Sequence, residues 1–304
     1  MLIKINPLFA RKVISKGDEK FIKSHKTFGN FSVKKDLAYI EDGDPMHMLD
    51  VLSPMLNHET GIVWFYIHGG GYYYGRKEHN QIFNSWFVNQ GFTVVSINYR
   101  LVDPKNNISI YDQVQDIFAA LKFVSDNRHN LRLNIDKFCL MGDSAGGHLA
   151  LLTDIIYRSK EAQEYYDLKS LPKIEIKCLG LNSTMYDFVK LFDFSGKYLS
   201  KRGKKYIFSN RCGEEGFLKK NSPRHYIKAG VRPSPIFNST SYTDQLKDQS
   251  FYLKHDAEKY GLEFTHYFEP KHDKKLGHVF NHFNFEDEGK KCNDAMIAFF
   301  KKYC

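Results

Sequence analysis

At 304 residues, 42% hydrophobic and 15% aromatic, the chain can bury the core of a single α/β domain running from 1 to 304, and its longest strongly apolar run, 62–67, is far too short to cross a bilayer. The formal charge of +9 comes from scattered lysine pairs such as Lys34-Lys35 and Lys290-Lys291, not from a basic helix, so a solvated surface is expected and no nucleic-acid partner. Five cysteines, odd in number and without a C-x-x-C pair, suggest neither a disulfide framework nor a zinc site, and Lys4, Arg11 and Lys12 interrupt any signal-peptide core; the expectation is a cytoplasmic protein with reduced thiols.

Residues 1–36 mix apolar and basic side chains without a clean period, which fits short helices or a loose arm. A strand and a turn are expected over 37–53, the turn at Glu41-Asp42-Gly43-Asp44-Pro45. The run Ile62-Val63-Trp64-Phe65-Tyr66-Ile67 has the pattern of a strand buried on both faces of a parallel sheet, and it leads straight into His68-Gly69-Gly70-Gly71. A helix over 81–89 passes through Gly91 to a strand over 93–97. Apolar residues at 114, 117, 118, 121 and 124 then set helical spacing over 111–127. A buried strand at 137–141, a helix at 149–157, a charged loop and a strand at 174–181 follow. Residues 185–222 are basic and aromatic with weak periodicity and read as an insertion of short helices. Beyond it come a strand at 235–239, a helix at 249–260 stopped by Gly261, a strand at 263–268 and a closing helix at 287–303. Such alternation predicts a mostly parallel sheet with helices on both faces and ligands gathered at the carboxyl ends of the strands.

One such end carries Gly142-Asp143-Ser144-Ala145-Gly146, a Gly-x-Ser-x-Gly match set between strand and helix. So sharp a turn pushes the serine hydroxyl out of the backbone, and a Cβ at 142 or 146 would collide with the neighbouring strand or helix. The helix behind Ser144 presents free N–H groups toward developing negative charge. Acyl transfer by a serine further needs a base, a carboxylate to hold that base, and oxyanion donors. The loop after 235–239 offers Asp244 and Asp248, with Asp244 nearer the strand end. The loop after 263–268 offers His272, His278 and His282; a flexible Gly277 and an apolar Val279-Phe280 anchor favour His278. The chain order Ser, Asp, His is that of an α/β-hydrolase arrangement. Oxyanion donors would come from the N–H of Ala145 and from the glycine run after Ile67. His278 and His282 are four apart, but no glutamate completes H-E-x-x-H and no cysteine joins them, which argues against a metal. Arg100 and Asp143 read as residues that hold loops, and Tyr72, Tyr73 and Tyr74 as pocket lining or core.

Taken together, His68-Gly69-Gly70-Gly71, Tyr99-Arg100-Leu101, Gly142-Asp143-Ser144-Ala145-Gly146-Gly147, Asp244-x-Leu246 and His278-Val279-Phe280 resemble the hormone-sensitive-lipase-like branch of the α/β-hydrolase fold, the carboxylesterase and acetylesterase group. The resemblance covers roughly 60–300. It implies Ser144 as nucleophile, Asp244 as orienting acid, His278 as base, and Gly69, Gly70 and Ala145 as backbone oxyanion donors. It also implies a helical cap built from 1–36 and 185–222 that controls which esters enter. The chain departs from the family pattern at Gln245, where proline is usual, at Val279, where glycine is usual, and at His148, where asparagine is usual. The expected activity is hydrolysis of short-chain acyl esters by a serine esterase, on a small-molecule substrate and with no cofactor. An amidase or arylformamidase uses the same triad, and a non-catalytic binding protein on a hydrolase scaffold is the reading from another class.

Overall fold

Among the described residues, eight strands hydrogen-bond into one sheet: β1 (Phe31–Ala38), β2 (Met48–Pro54), β3 (Val63–Ile67), β4 (Thr93–Ile97), β5 (Phe138–Asp143), β6 (Ile176–Asn182), β7 (Ile236–Ser241) and β8 (Phe264–Glu269). The computed structural model describes residues 7–55, 59–193, 216–282 and 287–304. The spatial order is β1-β2-β4-β3-β5-β6-β7-β8. β2 runs antiparallel to both its neighbours, β1 and β4, and every pairing from β4 through β8 is parallel. This is the α/β-hydrolase architecture.

The period of two along β3 explains why its sequence is apolar throughout. Val63, Phe65 and Ile67 enter one core layer with residues of the helices Ile110–Asp126 and Ala145–Arg158. Trp64 and Tyr66 enter the opposite layer, against Phe83 and Phe87 of Gln81–Asn89 and Phe300 of Asp287–Tyr303. None of the five is more than 1% exposed. Burial on both faces removes any place for a polar residue within the strand. Ser109 begins the helix Ile110–Asp126 with a reciprocal cap, its hydroxyl accepting from Tyr111 N–H while Asp112 accepts from Ser109 N–H.

The amino-terminal region differs from the expectation of short helices or a loose arm. Pro7–Ser24 is one 18-residue helix, and β1 follows it inside the stretch read as arm. β1 pairs with β2 through a register shift between Lys34 and Leu37, where Asp36 has a left-handed φ of 53°. That bulge breaks the alternation by which an edge strand is recognised. Within the insertion expected over 185–222, Phe188–Asp193 and Phe217–Lys220 are short helices. Residues 194–215, and with them most of the cap expected there, lie outside the described residues. No helix among the described residues is long and apolar enough to cross a membrane.

Candidate active site

The turn from β5 into the helix Ala145–Arg158 holds Ser144 at φ 53°, ψ −114°, a region that non-glycine residues rarely adopt. Neighbouring backbone fixes it there: Ser144 N–H donates to the Asn182 carbonyl at 2.8 Å, and the Ser144 carbonyl accepts from His148 N–H at 3.2 Å and Met185 N–H at 3.3 Å. The flanking glycines are needed on steric grounds. A Cβ on Gly142 would stand 2.3 Å from the Gly146 carbonyl carbon, and one on Gly146 would stand 2.1 Å from the Ile67 carbonyl oxygen. Helix, elbow and β3 exit are therefore in contact through backbone alone.

Of the two candidate acids, Asp244 is buried and Asp248 is exposed in the first turn of the helix Lys247–Tyr260. Asp244 Oδ1 lies 2.8 Å from His278 Nδ1 and also accepts from Leu246 N–H at 2.8 Å, while its Oδ2 accepts from the Thr240 hydroxyl at 2.9 Å. His272 is exposed against Tyr242, and His282 stacks on Phe83 at 4.0 Å, so neither meets Asp244. Thr243 anchors the histidine loop by donating to the Asp273 and Leu276 carbonyls, both at 2.9 Å. Ser183 Oγ accepts from Val279 N–H at 3.0 Å. That bond holds a β-branched residue at a φ of 54°, which the usual glycine would adopt without strain. Ser183 and Thr243 went unnoticed in the sequence. The small polar exits of β6 and β7, Asn182-Ser183-Thr184 and Thr240-Ser241-Tyr242-Thr243, were the available signal.

Burial alone would lower the basicity of the His278 ring, but the charge and hydrogen bond of Asp244, with a further contribution from Asp143, outweigh it and hold the imidazole above its ordinary value of 6.5. Burial likewise opposes ionisation of Asp244, yet the His278 charge and the donors around the carboxylate win and keep its pKa low. A base works only when neutral. If His278 is the base, kcat/KM should therefore rise with pH along an acid limb centred above 6.5, and a pH–rate profile with its limb at or below that value would count against the assignment.

The glycine run differs in part from expectation. Gly69 N–H, expected to face an oxyanion, instead donates to Asp143 Oδ1 at 3.0 Å, and the same oxygen accepts from the Tyr66 hydroxyl. Asp143 thus uses its carboxylate to fasten the β3 exit to the elbow. Gly70 has a φ of 115°, and a Cβ there would meet the Tyr74 carbonyl oxygen at 2.1 Å. Gly70 and Ala145 both line the central cavity, Ala145 as the first residue of its helix. His68 stacks on Tyr99, with ring centroids 4.2 Å apart, and Tyr99 donates to the His68 carbonyl at 2.6 Å. Burial pushes the His68 pKa down to about 4, so this ring is a neutral packing element. Arg100 grips Asp116 with its backbone N–H and its guanidinium, tying the β4 exit to the helix Ile110–Asp126.

The cavity has a volume of about 560 Å³ and takes in Ser144, Ala145 and His278. No hydrogen bond joins the Ser144 hydroxyl to the His278 ring among the described residues, a separation common before substrate tightens a site. Its walls are mostly apolar, from Tyr72, Phe83, Phe188, Leu191 and Leu246, and the amino-terminal helix adds Gly17, Asp18 and Phe21. Tyr74 donates to Asp18 at 2.7 Å and fixes that helix against the glycine run. His282 also lines the cavity, a residue weighed in the sequence as an alternative base and as one of a possible metal-binding pair. His148 packs edge-on against Tyr72 and Phe188 and its Nε2 lies 2.7 Å from the Asn221 carbonyl, so it is a buried neutral strut behind the site.

Residues 49–261 match the family model described as BD-FAE. An arylesterase from Saccharolobus solfataricus is 30% identical over 138 residues, 45% of this chain and 44% of that protein. An acetyl esterase from Salmonella schwarzengrund is 32% identical over 100 residues, 32% of this chain and 30% of the relative. An alpha/beta hydrolase of Acanthamoeba polyphaga mimivirus is 24% identical over 191 residues, 62% of this chain and 52% of its own. The chain thus spans about half, or less, of the length of these curated relatives. Among solved structures, esterase B from Lactobacillus rhamnosis superposes with a TM-score of 0.88 at 23% identity, covering 98% of this chain and 95% of that one. An esterase from the archaeon Pyrobaculum calidifontis gives 0.74 at 21% identity, covering 98% and 94%.

Proposed function

We propose that this chain, which belongs to the BD-FAE family, hydrolyses short-chain carboxylic esters through an acyl-enzyme formed on Ser144. The observation that carries this reading is the 2.8 Å contact between His278 Nδ1 and the buried Asp244 carboxylate at the edge of the cavity into which Ser144 opens. With Nδ1–H donating to Asp244, the other ring nitrogen is left unprotonated and able to accept. Ser144 Oγ attacks the ester carbonyl carbon as its proton passes to His278 Nε2, and negative charge collects on the carbonyl oxygen. The amides of Gly70 and Ala145 receive that oxyanion, each contributing about a hundredfold to a thousandfold in rate. The imidazolium then protonates the leaving alcohol. A water molecule, deprotonated by the same ring, attacks the acyl-enzyme, and the ring returns that proton to Ser144 Oγ as the bond to the acyl carbon breaks and the acid is released. No metal or organic cofactor takes part in these steps.

Support for an ester substrate comes from the apolar cavity wall and from relatives whose names are arylesterase and acetyl esterase. The test is a series of p-nitrophenyl esters of rising acyl length beside matched anilides, with an alkyl phosphonate as covalent probe. Acetate and butyrate should be turned over fastest, anilides at least about a hundredfold more slowly, and the phosphonate should add one label per chain, on Ser144. Faster turnover of an anilide or a formanilide would replace the esterase reading by an amidase one. A label on any residue other than Ser144 would remove the proposed nucleophile.

A further inference from the structure

Three of the five cysteines, distant in sequence, meet at one point of the fold. Cys139 and Cys178 are register partners on the adjacent parallel strands β5 and β6; both are fully buried, with their Sγ atoms 3.4 Å apart. Cys304 follows the last turn of the helix Asp287–Tyr303 and brings its Sγ to 3.1 Å from that of Cys139. All three sulfurs lie within 4.8 Å of one another. Around a tetrahedral cation bound at about 2.3 Å, sulfur ligands stand about 3.8 Å apart, so the triangle has the size of a metal site.

The surroundings supply what such a site needs. Trp64, Met141 and Phe300 share the apolar layer with Cys139 and Cys178, which keeps competing oxygen ligands away. Cys304 is partly exposed and opens a path for the ion. Three thiolates around a divalent cation leave one net negative charge, and Lys137 and Lys177 act on Cys304 with the opposite sign. Cys139 lies near the start of β5, five residues and so about 16 Å before Ser144, well away from the acyl-transfer site.

We propose that Cys139, Cys178 and Cys304 together bind one soft divalent cation of the zinc and cadmium kind, with a fourth position open on the Cys304 side. Thiolate sulfur selects such ions over magnesium or calcium. Each thiol gives up its proton as its sulfur–metal bond forms, and the bound ion ties the last helix to two central strands. The site is independent of the ester chemistry.

The experiment is an anaerobic titration of the reduced full chain with cadmium ion, followed by ultraviolet cadmium–thiolate absorbance and by native mass spectrometry. One cadmium per chain, displaceable by zinc, is expected together with a raised melting temperature. Cys304→Ser should weaken binding by at least about a hundredfold, whereas Cys292→Ser and Ser144→Ala should leave it unchanged. If Cys178→Ala proves soluble it should behave as Cys304→Ser does. Absence of a thiolate band in the wild-type chain, or equal affinity in Cys304→Ser, overturns the proposal. So does a chain that forms a Cys139–Cys304 disulfide in air but takes up no cadmium once reduced.

Discussion

Ser144→Ala is expected to lower kcat on p-nitrophenyl butyrate by about 10⁵- to 10⁶-fold, the scale on which loss of the nucleophile collapses a triad that acts as a unit. What survives is the rate enhancement from the oxyanion donors and from binding, because those parts of the site are backbone and cavity wall. The backbone bonds that fix the elbow, from the Ser144 N–H to Asn182 and from His148 and Met185 to the Ser144 carbonyl, do not involve the hydroxyl. Alanine keeps them, at a φ no more strained for alanine than for serine. Stability should therefore change by no more than about 0.5 kcal/mol. Chemical denaturation and steady-state kinetics on the same sample separate a dead enzyme from an unfolded one. A correctly folded Ser144→Ala variant that retains more than about a hundredth of wild-type turnover would exclude acyl transfer to this residue.

How far the sequence foretold this site depends on whether a local pattern or a distant contact decided each position. β3 was legible because burial on both faces leaves a continuous apolar run, and the elbow because the 2.3 Å and 2.1 Å approaches allow only glycine at 142 and 146. The amino-terminal helix was not. Among its described side chains Gly17, Asp18 and Phe21 line a cavity and none is fully buried, so this half of the helix has no apolar stripe packed against the core. β1 was hidden by its bulge at Asp36. The amide of Gly69 was misassigned because its partner is the Asp143 side chain, 74 residues along the chain, and no local rule announces that contact. The strained Val279 depends in the same way on Ser183, and the meeting of Cys139, Cys178 and Cys304 depends on strand register and the docking of the last helix.

Asp244→Asn should be the second most damaging substitution, lowering kcat by about 10²- to 10⁴-fold with little change in the position of the ring. The Asp244 carboxylate accepts from Leu246 N–H, the Thr240 hydroxyl and His278 Nδ1, and Ser183 adds a further side-chain hydrogen bond. Asparagine fills the same space. Leu246 N–H and His278 Nδ1 share Oδ1, so an amide oxygen kept there serves both while its NH₂ turns to the Thr240 hydroxyl. The imidazolium that forms as Ser144 gives up its proton then faces a neutral amide where the carboxylate stood. The same change removes the largest influence raising the His278 pKa and leaves the burial that opposes it, so the acid limb of kcat/KM should move to lower pH than in the wild type. A purely structural aspartate would give no such displacement. An Asp244→Asn variant with intact turnover, or with slowed turnover and an unmoved limb, would show that another group orients His278. Asp248, exposed in the first turn of the following helix, makes no hydrogen bond to His278 among the described residues.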